Sequence, residues 1–510
     1  MKSYFRPITR RKFIKSGIAG GAIIATYPVW KLFSFSTPPS DFYVNPACNL
    51  SKETLEKLIE IALQKGGEFA EVYVEYNVGN QIYLEEDKIY GAGRGVDMGV
   101  GIRVLHGEKT GYAYSDDLSF ERLKQTAEVA SHIASEKTAK EHTGLKSSQI
   151  PSYYLVKVSP DNIIPQDKAK LLWKANSVGR EYDKRINQVN IGFSDTNKKI
   201  IIANSEGTWV EDVQTISRLL VSINAIEGDK RSRGYAYKDG TLGYEHYDLK
   251  VAEELAKDAG RMALAMLPAE DAPAGEYPIV MAKGHCGTFF HEAIGHSLES
   301  DGIRKKTSCF WDKEGKMIAS PISSLADDGT VPGARGTINV DDEGVPGQKT
   351  ILINKGKCVN FIYDRLNAKL MKARLTGNGR RESYQHYPLP RMTNTYLMAG
   401  EDDPDDILKS VQKGIYIARI GGGNVSWVTG RFVFSVPEGY LIEDGQITKP
   451  LKGIQLMGSG PEVLKNIVMV GPDMEILGGG TCGKSGQGKP VSDGNPTLKV
   501  SKITIGGAKV

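Results

Sequence analysis

The sequence predicts an α+β protein in two parts. A mixed α/β domain spans residues 41–268, and a mostly antiparallel β domain that carries one chemically distinctive helix spans 269–510. Three observations lead there. Helix-like and strand-like periodicities are interleaved up to Pro268. The run Pro268-Ala269-Glu270-Asp271-Ala272-Pro273-Ala274-Gly275 then reads as a linker. Beyond it, short alternating segments and glycine turns dominate. The length, 510 residues, calls for more than one core, and 40% hydrophobic with 25% charged residues is ordinary for a globular chain.

Each element has a local cause. Ser51 is a plausible N-cap for a helix through Leu63, with Leu55, Leu58 and Ile59 on its apolar side, stopped by Gly66-Gly67. Alternation in Glu71 to Tyr76 marks a strand, and strand-like pieces continue to Tyr114. Helices are expected over Ser119–Glu136, Asp167–Tyr182 and His246–Leu267, with strands around Ile200–Ile202 and Arg218–Ile223. In the second part, strands are expected at Tyr277–Met281, Thr350–Ile353, Asn360–Asp364, Phe432–Val436, Tyr440–Ile442 and Ile447–Lys449. Helices are expected over Gly284–Ser300 and from Asp403-Pro404 to Lys413.

Residues 1–40 form a separate segment. Thr9-Arg10-Arg11-Lys12-Phe13-Ile14-Lys15 resembles a twin-arginine export signal, and the weakly apolar run Ser16 to Trp30 is shorter than the roughly 20 residues needed to span a bilayer. The expected location is therefore periplasmic or otherwise outside the cytoplasm. No clean small-x-small cleavage site is visible, so retention as an anchor is the alternative, and that anchor is the only membrane contact expected. This segment carries seven basic and no acidic side chains, so the net charge of +4 falls to −3 without it. A near-neutral body has no basic stripe for a phosphate backbone, and nucleic acid is not an expected partner. Five scattered cysteines make no disulfide framework.

The chemistry concentrates in His291-Glu292-Ala293-Ile294-Gly295-His296. Neutral imidazoles suit Zn²⁺, and a neighbouring carboxylate can take a proton from water. The spacing argues against a plain helix. Histidines four apart lie about 400° around a helix and face one way, whereas five apart they lie at about 500°, roughly 140° out of line. A helix that widens or bends at Ile294-Gly295, as a π-bulge does, is expected. A third ligand is also needed. Glu299, Asp301, His285 and the remote cysteines are the candidates, with Cys482 prominent because glycines surround it. That segment, Gly478 to Ser485, also matches the phosphate-loop pattern, but Gly486-Gln487-Gly488-Lys489-Pro490 follows and no helix can begin there.

From about Ser51 to Gly507 the chain resembles the TldD/PmbA (TldE) family, on the TldD side that keeps the metal motif. The resemblance rests on Gly101 to Gly111, His291 to His296, Gly344 to Gln348, Thr376 to Tyr384, Pro390 to Thr395, Gly421 to Gly423 and Cys482 to Gln487. It implies a zinc metallopeptidase of short or unfolded peptides, with His291, His296 and Cys482 as ligands and Glu292 as general base. It also implies a dimer, either of like chains or with a TldE/PmbA-like chain, and a peptide bound as an added strand. Arg391, Thr393 and Asn394 are the candidate residues of that edge. A peptide-binding or maturation partner without turnover is the alternative function. His285 and Cys286 fall outside the family pattern and read as structural. Arg380-Arg381 and His106 also read as structural.

Overall fold

The structure, a computed structural model, describes residues 50–134 and 141–507. The expected export signal lies outside the described residues.

Ser51 caps the first helix, Lys52–Leu63, its hydroxyl accepting from the Thr54 amide at 3.2 Å. The other early helices are Phe120–Ser131, Pro165–Glu181 and Leu249–Met266, shifted by a few residues from the periodicity limits. The strands are far longer than their sequence signals. Phe69–Glu85, Lys88–His106, Ile186–Asn204 and Thr208–Glu227 run 17 to 20 residues. Their alternation is broken by glycines and paired polar residues, so only fragments stand out locally.

These strands form one seven-stranded sheet in the order Lys109–Ser115, Lys88–His106, Phe69–Glu85, Ile186–Asn204, Thr208–Glu227, Lys146–Ser147, with Lys230–Gly240 also pairing to Thr208–Glu227. The first two helices cover one part of it, around Val72, Val100 and Ile102. The next two cover another, around Phe193, Leu219 and Val221.

The expected linker is not a free tether. Glu270–Asp271 pairs with Leu451–Lys452 and Ala272 is fully buried, because the ladder captures its backbone groups. From there on, two sheets share a large aromatic and aliphatic core. One has ten strands and contains Gly275–Met281, Lys413–Arg419 and Leu498–Gly506. The other has six, in the order Lys357–Cys358, Lys349–Asn354, Leu325–Asp328, Asn394–Leu397, Gln487–Asn495, Glu475–Lys484. Most pairings are antiparallel, and Asn394–Leu397 runs parallel to Gln487–Asn495. Asn360–Asp364 forms no strand; only an isolated Glu299–Ile362 bridge occurs there. The Asp403 cap is as expected, with its carboxylate accepting from the Asp405 amide at 2.8 Å ahead of helix Pro404–Lys409.

A buried cluster of charges fastens the first sheet to the chain between 341 and 381. Arg103 Nη2 bonds Glu71 Oε2 and Glu343 Oε1, each at 2.7 Å, and these three side chains are at most 1% exposed. Arg381 bonds Glu71 and donates to the Asp342 carbonyl at 2.9 Å. Arg380 donates to the carbonyls of Met392 and Pro490. Both arginines are thus occupied by the protein itself.

Candidate metal centre

The motif helix is shorter than its periodicity predicts. It spans Thr288–Ala293, breaks at Ile294 (φ −121°, ψ −53°), and resumes as a tighter 3₁₀ turn over Gly295–Leu298. The expected bend falls where predicted, but the backbone tightens after a break; it does not widen into a π-bulge. Gly295 has a packing cause: a Cβ there would lie 2.0 Å from Met392 Sδ. Breaking the helix between the histidines removes the angular mismatch of their five-residue spacing.

His291, His296 and Cys482 come together, each offering one ligand atom within 4.8 Å of the others, and all three are buried. Cys482 Sγ lies 3.3 Å from His296 Nε2. The His291 and His296 rings meet edge to face with centroids 5.2 Å apart. Neither ring nitrogen of His291 has a hydrogen-bond partner, although the residue is 2% exposed. An unsatisfied buried polar group costs about 1–3 kcal/mol, so a convergent trio with orphaned nitrogens fits a metal ion.

The supports sit behind these donors. Glu299 Oε2 faces His296 Nδ1 at 3.2 Å and Lys484 Nζ at 2.9 Å, and Lys484 also bonds Asp301 at 2.8 Å. Glu299 and Asp301 therefore hold His296 and Lys484 from outside the trio. Trp427 stacks on the His296 ring at 5.4 Å. Cys482 lies on Glu475–Lys484, whose hairpin partner is Gln487–Asn495. Ser485 (φ 52°) and Gly486 (φ 76°) make the two-residue turn between them, so the phosphate-loop look-alike is a β-hairpin.

Burial raises the Cys482 thiol, but His291 and His296 more than reverse this and hold it at about 4. Burial lowers His296, yet Glu299 and the Cys482 thiolate bring it to about 10. The two shifts are reciprocal, each favouring the charged form of the other group.

Glu292 is partly exposed, 3.8 Å from His296 Nε2, and faces a cavity of about 330 Å³ that His291 and Cys482 also line. Asp493 lines it too, accepting from Thr288 Oγ1 at 3.2 Å, with its carboxyl raised by burial to about 6. His285 also reaches this cavity, and burial beside Arg419 lowers it to about 4. Cys286 is buried and donates to the Ile417 carbonyl.

The candidate substrate edge lies elsewhere. Asn394–Leu397 is paired on both sides, so it offers no free ladder. Arg391, Thr393 and Asn394 are at most 1% exposed. Arg391 donates to the Cys482 and Gln487 carbonyls, Thr393 to Asp327, and Asn394 to the Asp328 carbonyl. Arg391 thus ties the cysteine-bearing hairpin to this segment. Edge status is a property of the assembled sheet, which a local sequence pattern does not contain. Trp427 and Asp493 carried no signal that set them apart, and Lys484 stood only within the Cys482–Gln487 motif with no role of its own.

A histidine pair and a cysteine that converge beside a cavity-facing carboxylate are the equipment of a metal-dependent hydrolase, and comparison with known proteins makes this specific. Residues 70–134, 158–267 and 274–507 match domain 1, the central domain and the C-terminal domain of the PmbA/TldA metallopeptidases. The chain belongs to this TldD/PmbA metallopeptidase family. It is 40% identical over 467 residues to the metalloprotease TldD homolog of Haemophilus influenzae, covering 90% of this chain and 97% of that one. The zinc metalloprotease TldD homolog of Saccharolobus solfataricus is 28% identical over 454 residues, covering 88% and 99%. TldE of Thermococcus kodakarensis shares the fold with a TM-score of 0.70 at 21% identity, covering 89% of this chain and 99% of that one.

Proposed function

We propose that the protein is a zinc-dependent peptidase of short or unfolded peptides, with His291, His296 and Cys482 as ligands and Glu292 as general base. The observation that carries this reading is the convergence of the three donors around the unpartnered nitrogens of His291. Zinc is favoured by the imidazole and thiolate chemistry and by the name of the Saccharolobus relative. Zinc bound there supplies Lewis acidity to water and to the scissile carbonyl. Glu292, beside the ligands and open to the cavity, accepts the proton of the attacking water and delivers it to the departing amine. Glu299 fixes the His296 tautomer through Nδ1, leaving Nε2 for the metal.

The free edge beside the ligands is Glu475–Lys484, the outermost strand of the six-stranded sheet, and Gly478, Gly479 and Gly480 line the cavity. A peptide added as a strand there is read mainly through its main chain. Export by the twin-arginine route and assembly as a dimer, with a like chain or a TldE/PmbA-like chain, complete the proposal.

Metal analysis combined with mass spectrometry of a peptide library, with and without a chelator, tests it. Stoichiometric zinc and chelator-sensitive cleavage are expected. Cleavage that survives complete zinc removal would overturn the mechanism.

A further inference from the structure

Another wall of the cavity holds a charge that the peptidase reading does not use. In Thr208–Glu227, Leu219 and Val221 are buried against helices while the alternate residues face away from them. Arg218, one of those alternates, lines the same cavity as His291, Glu292 and Cys482. Its guanidinium lies over the Tyr237 ring, 4.3 Å from the centroid.

Its charge is incompletely answered. The register places Asp239 directly across from Arg218, yet Nη1 stays 3.6 Å from Asp239 Oδ2. Arg335 Nε is 3.7 Å from that same oxygen and donates to the Gly480 carbonyl. Both carboxylate separations exceed hydrogen-bond range. Arg218 Nε and Asp239 Oδ2 are both buried without a hydrogen-bond partner. One carboxylate therefore serves two guanidiniums. Arg419, the cavity's other arginine, is different: it bonds the Tyr235 carbonyl at 2.9 Å, Asp258 at 2.6 Å and Glu438 at 3.3 Å. Arg419 is held by the fold, whereas Arg218 keeps donors available.

We infer that Arg218 docks a carboxylate of the peptide substrate, either its free C-terminus or an acidic side chain. A planar guanidinium preset by ring stacking suits a carboxylate geometrically. This inference rests on the peptidase reading, and its test separates the two.

The probes are fluorescent peptides of one sequence with a C-terminal acid or amide, and with a Glu or Gln side chain. Binding is read by anisotropy in the zinc-loaded Glu292→Gln protein, which need not turn over. Loss of the recognised carboxylate is expected to weaken binding about tenfold or more. The acid–amide pair and the Glu–Gln pair tell which carboxylate is used. Adding Arg218→Gln is expected to erase that preference, and Arg218→Lys to restore part of it. Equal affinity for all four peptides, or an equal loss for all four on Arg218→Gln, overturns the inference. Cleavage by the unmutated enzyme without any carboxylate preference overturns this inference alone. A zinc-loaded enzyme that cleaves none of the peptides and binds none of them overturns the peptidase reading with it.

Discussion

Two of the buried polar clusters among the described residues differ in how their groups are answered. Around Glu71, Arg103, Arg381 and Glu343, acids and guanidiniums face each other, joining elements from distant parts of the chain. Around His291, His296 and Cys482, one histidine has no partner at either nitrogen, and His291 and Cys482 line a cavity. Both clusters are polar and inaccessible, so burial does not separate structure from chemistry. The separation lies in where the unanswered atoms sit: Arg103 Nε and Arg381 Nε also lack partners but lie within ion-paired guanidiniums, whereas the His291 nitrogens stand beside a cavity.

Four substitutions test that contrast. Glu292→Gln should lower peptide cleavage by about 10²–10⁴-fold while zinc content and unfolding temperature stay near those of the parent. Steady-state kinetics with metal analysis measures this, and full activity would remove Glu292 from the mechanism. Arg103→Met attacks the ion-paired cluster and should cost about 3–5 kcal/mol in chemical denaturation, because Glu343 loses a buried partner. A loss of activity with no loss of stability would reverse the assignment of that cluster. Glu299→Gln sits between the two. Zinc affinity, measured by chelator competition, should fall about 10–100-fold with little change in fold. Gly295→Ala has the smallest expected effect, about 1–3 kcal/mol, because the new methyl meets the movable end of Met392. Partial recovery by Met392→Ala in the same chain would confirm that contact as the cause.

Legibility in the sequence followed the range of the interactions. Ser51 and Asp403 announce their helices because a cap is decided within three residues. The histidine pair was readable from residue type, and its awkward spacing correctly located the break at Ile294. The form of the break was not readable, since it depends on Met392 packing against Gly295 from almost a hundred residues away. Cys482 stood out through its glycines, but nothing local ties it to His296. The long strands were seen only in fragments because cross-strand partners, absent from a local window, sustain them through glycine and polar positions. Arg391, Thr393 and Asn394 were misread as a docking edge because their neighbours on both sides come from other segments. Arg218 was invisible for the same reason: its significance lies in sharing Asp239 with Arg335.

The span between the donors has a consequence for biosynthesis. His296 and Cys482 are 186 residues apart. A ribosome that has released the histidine helix must still make most of both later sheets before the thiolate strand emerges. Any chain halted before Glu475 has His291 and His296 but lacks Cys482. On the proposed ligand set, the peptide-cutting centre is therefore withheld from unfinished chains until the strand Glu475–Lys484 has been made.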